Sequence, residues 1–120
     1  MKSLILLLAF FSASAFAQNS WFSVSDKNAK VKFFVNIASL NINEFGNPEA
    51  IIKTDSDKHG ISFNFVLMTK KDCTNGYGHL YWYDMKKVFD ATSEYVVKGG
   101  TNATNIGDIL CSHLNRQPSV

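Results

Sequence analysis

Three residues of this chain carry the side chains that thiol-based catalysis requires. Cys73 could supply a nucleophile, His79 the base that deprotonates it, and Asp84 a carboxylate that orients the imidazole. This chemistry needs a free thiol, and the chain has one further cysteine, Cys111, with which Cys73 could pair. Because a disulfide would leave no nucleophile, and no other catalytic motif is present, we predict no catalytic residue and no enzymatic activity.

Potential metal ligands are concentrated in a predicted turn at residues 55–60. The carboxylates of Asp55 and Asp57 suit a hard cation, and the imidazole of His59 suits a transition metal. A calcium-binding loop would need further carboxylates and a closing glutamate, which the residues that follow do not supply. Solvated hairpin tips often have this composition. We therefore predict neither a metal site nor a cofactor.

The segment at residues 77–83 alternates rings on a period of two, as a β-strand does. Four side chains fall on one face of it: Tyr77, His79, Tyr81 and Tyr83. If Leu80 and Trp82 face the core, this row faces outward and forms a candidate ligand-binding surface, since such rings give a large contact area at low entropic cost. Two alternatives remain open: neighbouring strands or a C-terminal helix cover the rings, or aromatic residues merely suit strands.

The first seventeen residues have the order of a secretory signal peptide. Lys2 gives a positive start, residues 4–11 form an apolar run, and residues 15–17 (AFA) form a small-x-small cleavage site. Cleavage leaves residues 18–120, whose length predicts a single β-rich domain. No second apolar run approaches the ~18–20 residues that span a bilayer. We expect a periplasmic or secreted protein without a membrane span.

An oxidising compartment favours a disulfide between Cys73 and Cys111, with a free nucleophilic or metal-binding thiol as the alternative. The two cysteines are 38 residues apart, and closing such a loop stabilises the fold by about 4 kcal/mol through chain entropy.

The charge of the chain also limits which partners it can bind. The formal net charge is +2, and the basic residues form no stripe along the chain, which argues against a nucleic-acid partner.

Hydrophobic periodicity predicts an α+β fold, with an antiparallel sheet of five or six strands and a C-terminal helix tied to it by one disulfide. The predicted strands are residues 21–24, 30–38, 49–54, 61–69, 77–83 and 93–98. Residues 70–76 are predicted as a hairpin turn on the strength of Asn75-Gly76, and residues 84–92 as either one helical turn or a wide loop. The helix is predicted to begin near Asn105, with Asp108 returning the capping hydrogen bond.

Several of these features occur together in one family. They are an early strand with Trp21, the strand edge at residues 35–40 (VNIASL) before a glycine-containing loop, Asp72-Cys73 after a long strand, and residues 109–111 (ILC) near the end. This layout resembles the surface-adhesin protein E family of small exported bacterial proteins. The family's aromatic–Asp pair in the second strand is replaced here by Val35-Asn36, so no binding residue is carried over. The resemblance implies a disulfide-stapled sheet with a helix and a non-enzymatic surface or periplasmic binding role.

We therefore expect a small exported bacterial binding protein that engages a protein or host-surface ligand. The alternative is a periplasmic inhibitor or immunity protein that neutralises a hydrolase, such as a lysozyme-like enzyme, or a toxin. Such a protein would plug its target with a protruding loop, for which residues 39–48 and 55–60 are the candidates.

Overall fold

The computed structural model describes residues 20–116, so the predicted signal peptide at residues 1–17 lies outside the described residues. Within this range the chain forms seven strands, two α-helices and one 3-10 turn. The strands are β1 (Trp21–Ser23), β2 (Val31–Asn36), β3 (Asn41–Ile42), β4 (Pro48–Ser56), β5 (Gly60–Met68), β6 (Tyr77–Tyr83) and β7 (Phe89–Val96). The helices are α1 (Lys70–Asn75) and α2 (Asn102–Asn115), and the 3-10 turn is Ile37–Ser39.

All strands belong to one antiparallel sheet in the order β1-β2-β4-β5-β6-β7, with β3 paired to β4. Both β2 and β3 pair with β4, and the 3-10 turn separates them. Ser39 bridges the interruption, because its hydroxyl accepts from Ile51 N at 2.8 Å and donates to Asn36 O at 2.7 Å. A side chain thus supplies a hydrogen bond that the sheet ladder lacks at this point.

The core lies between one face of the sheet and α2. Its sheet side consists of alternate strand residues, among them Val35, Ile52, Val66 and Leu80, each with no exposed surface. The helix contributes a stripe at helical spacing that includes Ile106 and Leu110. The other face of the sheet is therefore left without the helix.

Gly107 sets how closely α2 approaches the sheet. A Cβ at this position would overlap the ring of Tyr95 and lie 3.0 Å from Met68 Sδ. The Tyr95 hydroxyl then donates to Asp108 at 2.7 Å, one residue further along the helix. Burial, together with the hydrogen bond to Asp108 and its charge, raises the pKa of Tyr95 well above its usual range.

The predicted disulfide is present and joins the two helices. Cys73 on α1 is bonded to Cys111 on α2, and Cys111 is 7% exposed, with its Sγ 3.5 Å from Met68 Sδ. The tie fixes α2 to the connection between β5 and β6. The antiparallel sheet and the C-terminal helix are confirmed as well, although the sheet has seven strands and the fold is closer to mostly β than to α+β.

The predicted hairpin turn at residues 70–76 is wrong, since a short helix occupies it. Thr69 caps the helix by accepting from Asp72 N at 3.1 Å. Gly76 adopts the left-handed conformation, with φ of 77°, and its N–H bonds Asp72 O at 3.0 Å. The Asn75-Gly76 pair therefore ends a helix here instead of forming a two-residue turn.

The predicted start of the C-terminal helix is also wrong. Thr101 is the cap, in a capping box with Thr104, so α2 begins at Asn102. Asn105 instead donates from its side chain to Val24 O at 3.1 Å, which attaches the helix to the first loop. The hydroxyls of Thr101 and Thr104 are three residues apart, as are the side chains of Asn105 and Asp108. Both pairs match a helix-capping pattern, so the pattern alone does not choose between them.

The undecided segment at residues 84–92 is a tight turn followed by a strand. Asp84 Oδ1 accepts from both Lys86 N and Val88 N at 2.9 Å, which reverses the chain within a few residues. Strand β7 thus starts at Phe89 and ends at Val96, earlier at both ends than predicted.

Candidate binding face

The four rings predicted as a ligand-binding row lie on the sheet face opposite α2, which we call the open face. Tyr77 is 63% exposed, His79 is exposed, and Tyr81 and Tyr83 are half-buried. On the other side of the same strand, Leu80 is completely buried. The helix therefore does not cover the row, whereas neighbouring strands partly cover Tyr81 and Tyr83.

The open face holds more aromatic residues than this row. In the middle of the sheet the register runs Ile51–Phe65–Tyr83–Phe89 directly across four strands. The rings of Tyr83 and Phe89 meet edge to face, with centroids 5.9 Å apart. Phe89 is 56% exposed, so the band reaches the solvent at the β7 edge. An apolar band thus crosses most of the sheet on its open side.

A second aromatic group surrounds Lys53 on the β1 side of this face. Lys53 Nζ lies 4.5 Å from the ring centroid of Phe34 and 5.0 Å from that of Trp21. Trp21 in turn contacts Phe63, with ring centroids 5.9 Å apart. These distances are within the range of cation–π attraction, which keeps the lysine against the rings while its charge stays near the surface.

The 84–88 turn carries a second lysine over the centre of the face. Lys87 has a φ of 66° and places its Nζ 5.0 Å from the ring centroid of Phe65. Two adjoining hollows, of about 110 and 230 Å³, share Lys87, Phe65 and Glu49 in their walls. A carboxylate and an ammonium group thus flank an apolar floor, an arrangement that can orient a partner while the rings supply contact area.

Asp72 of α1 hydrogen-bonds to β6 at the start of the row formed by Tyr77, His79, Tyr81 and Tyr83. Asp72 Oδ2 accepts from the backbone N–H of His79 at 3.1 Å. Its carboxylate occupies the space that a Cβ at position 78 would fill, and Gly78 has a φ of 149°. The ring of His79 lies 6.5 Å from that of Tyr81. Asp72 therefore fixes the backbone of β6 at this end of the row.

The catalytic and metal candidates are not assembled into sites. Cys73 has no thiol because it is bonded to Cys111. Asp84 uses its carboxylate to hold the 84–88 turn. Asp57 and His59 are exposed at the β4–β5 turn, and across residues 20–116 no three histidine, cysteine or acidic side chains group as a metal site would require.

The open face also includes five aromatic residues that were not predicted to belong to it: Trp21, Phe34, Phe63, Phe65 and Phe89. Alternation along β5 did place Phe63 and Phe65 together, but it could not tell which side the helix covers. Between residues 20 and 116 no helix is long and apolar enough to cross a membrane.

No protein-family model matches this sequence, and no curated protein or solved structure shows significant similarity to it. The resemblance to the surface-adhesin protein E family therefore stays a prediction.

Proposed function

We propose that the protein is a small exported bacterial binding protein, periplasmic or secreted and without enzymatic activity, whose open face engages a protein or host-surface ligand. One observation carries the proposal: a band of aromatic side chains lies on the sheet face that α2 leaves uncovered. Phe63, Tyr77 and Phe89 are 44%, 63% and 56% exposed. Contiguous apolar surface of this kind on a small protein commonly marks an interaction site.

The shape of the open face favours a protein ligand over a small molecule. The two adjoining hollows beside Lys87 measure about 110 and 230 Å³, so even together they reach only the lower end of the roughly 300–1,000 Å³ of sites that enclose small ligands. A broad surface with rigid rings at its centre and charged groups around them is the usual composition of a protein interface. Lys53, Lys87 and Glu49 lie among these rings and would fix the orientation of the partner by their charges.

The experiment compares the wild-type protein with the variant Tyr81→Ser/Tyr83→Ser. The purified mature protein is immobilised and exposed to periplasmic extract and to host extracellular-matrix proteins, and the retained ligand is identified and purified. Its Kd is then measured for each variant. We expect the double substitution to raise the Kd at least tenfold, because truncation of central aromatic residues commonly costs more than about 1.4 kcal/mol.

The matched control is Phe45→Ser, which removes a more exposed ring from a different surface and should leave this Kd unchanged. If the double variant fails to fold, Tyr77→Ser/His79→Ser removes exposed rings from the same row. A wild-type protein that retains no ligand, or open-face variants that bind as tightly as wild type, would overturn the proposal. A captured hydrolase that is inactive in the complex would support the inhibitor alternative.

A further inference from the structure

A rigid loop between β3 and β4 presents the most exposed large apolar side chain among residues 20–116. Phe45 is 78% exposed at its tip. Asn43 Oδ1 accepts from Phe45 N and from Asn47 N, both at 3.0 Å. Asn47 Oδ1 accepts from Lys70 N at 2.9 Å, which braces the loop against α1. These hydrogen bonds fix the backbone of the loop, which presents Phe45 to the solvent.

A groove with the complementary character lies on the helix side of the molecule, between α2 and the 3-10 turn. Its apolar walls are Phe22, Ile37, Leu40 and Ile109, of which Phe22 is 55% and Ile37 43% exposed. Its volume is about 400 Å³. Since an apolar cavity of about 150 Å³ can hold a benzene molecule, the groove has room for a phenylalanine side chain.

Charge distinguishes which end of the loop would meet which wall. Glu44 precedes Phe45 and is the only charged residue between positions 41 and 48. Arg116 lines the groove. The groove's acidic residue, Asp108, already accepts from the hydroxyl of Tyr95 at 2.7 Å and faces Lys98 N at 3.3 Å. Neither of these donors is charged, so Asp108 keeps its negative charge, and an acidic partner residue is favoured at the Arg116 end of the groove and disfavoured at the Asp108 end.

We propose that the Glu44-Phe45 tip docks into this groove on a second copy of the same chain, with Glu44 facing Arg116. Leu40 lines the groove and stands five positions before Phe45 in the sequence. In a two-fold dimer each copy would contribute one loop and one groove, so two equivalent contacts would form across the axis. The groove itself lies on the helix side of the sheet, opposite the open face.

Sedimentation velocity and light scattering of the purified mature protein, over a series from micromolar to millimolar concentration, test the proposal. We expect a concentration-dependent dimer. Phe45→Ser should raise the dimer dissociation constant at least 30-fold while leaving the monomer's melting temperature unchanged, because the lost ring is a central anchor and is exposed in the monomer.

A charge exchange makes the test specific to this contact. Glu44→Arg and Arg116→Glu should each weaken the dimer several-fold, and the variant carrying both should recover most of the wild-type affinity. Tyr81→Ser/Tyr83→Ser should not change dimerisation, so the outcome is independent of the proposed ligand-binding function. A protein that is monomeric throughout the series, or a dimer that Phe45→Ser leaves intact, would overturn the proposal.

Discussion

Removal of the disulfide should show how much of the stability depends on the tie between α1 and α2. The bond joins Cys73 to Cys111 across 38 residues. Chain-entropy arithmetic for a loop of that size gives about 4 kcal/mol, because the cross-link restricts the unfolded chain. Since small domains are commonly stable by about 5–15 kcal/mol, the variant Cys73→Ala/Cys111→Ala should still fold, with about 1–11 kcal/mol left.

Urea unfolding at 25 °C, followed by tryptophan fluorescence and circular dichroism, measures the loss. We expect the unfolding free energy to fall by about 4 kcal/mol and the urea dependence to steepen, because the uncrosslinked chain exposes more surface when unfolded. Alanine is preferred to serine because Cys111 is 7% exposed and a hydroxyl there would be buried. The control is Thr74→Ala/Ser112→Ala, which changes two exposed neighbours and should cost less than about 1 kcal/mol. A loss below about 1 kcal/mol in the cysteine variant would refute the reasoning.

Two further predictions concern the contact between α2 and β7. Gly107→Ala should lower the unfolding free energy by about 1–3 kcal/mol in urea titrations, because the added Cβ overlaps the Tyr95 ring. Alanine in an exposed helix raises stability instead, and such a rise here would contradict the close approach of α2 to Tyr95. Burial and Asp108 raise the pKa of Tyr95 above the unfolded value of about 10. The stabilisation that the protonated Tyr95 contributes is therefore complete below pH 10 and is lost as the pH rises further. Tyr95→Phe should therefore reduce the decline in unfolding free energy between pH 10 and 11, and an unchanged decline would show that Tyr95 is not its cause.

Local pattern separated the two faces of β6 but did not decide which of them faces the core. The period of two in residues 77–83 separates Leu80 from the Tyr and His side chains, and the structure buries Leu80 completely. The ligand-binding role of the row remains a prediction.

Capping was less predictable, because several short polar side chains near a helix start can each serve. Thr101 and Asn105 can both cap the helix according to the sequence. Only the packed structure shows that Thr101 is the cap and that the Asn105 side chain donates to Val24 O instead.

The sequence by itself determined how side chains alternate between the two faces of each strand, the presence of a C-terminal helix and the pairing of the two cysteines. Each of these depends on local spacing or on a count. It could not determine which face of the sheet the helix covers. On β5 the aromatic side chains of Phe63 and Phe65 lie on the open face, while the side chains of Val66 and Met68 pack against α2. The sheet has two apolar faces, and α2 covers only one of them. The Cys73–Cys111 tie and the close approach at Gly107 hold that helix on the Val66 side, which leaves the aromatic side free.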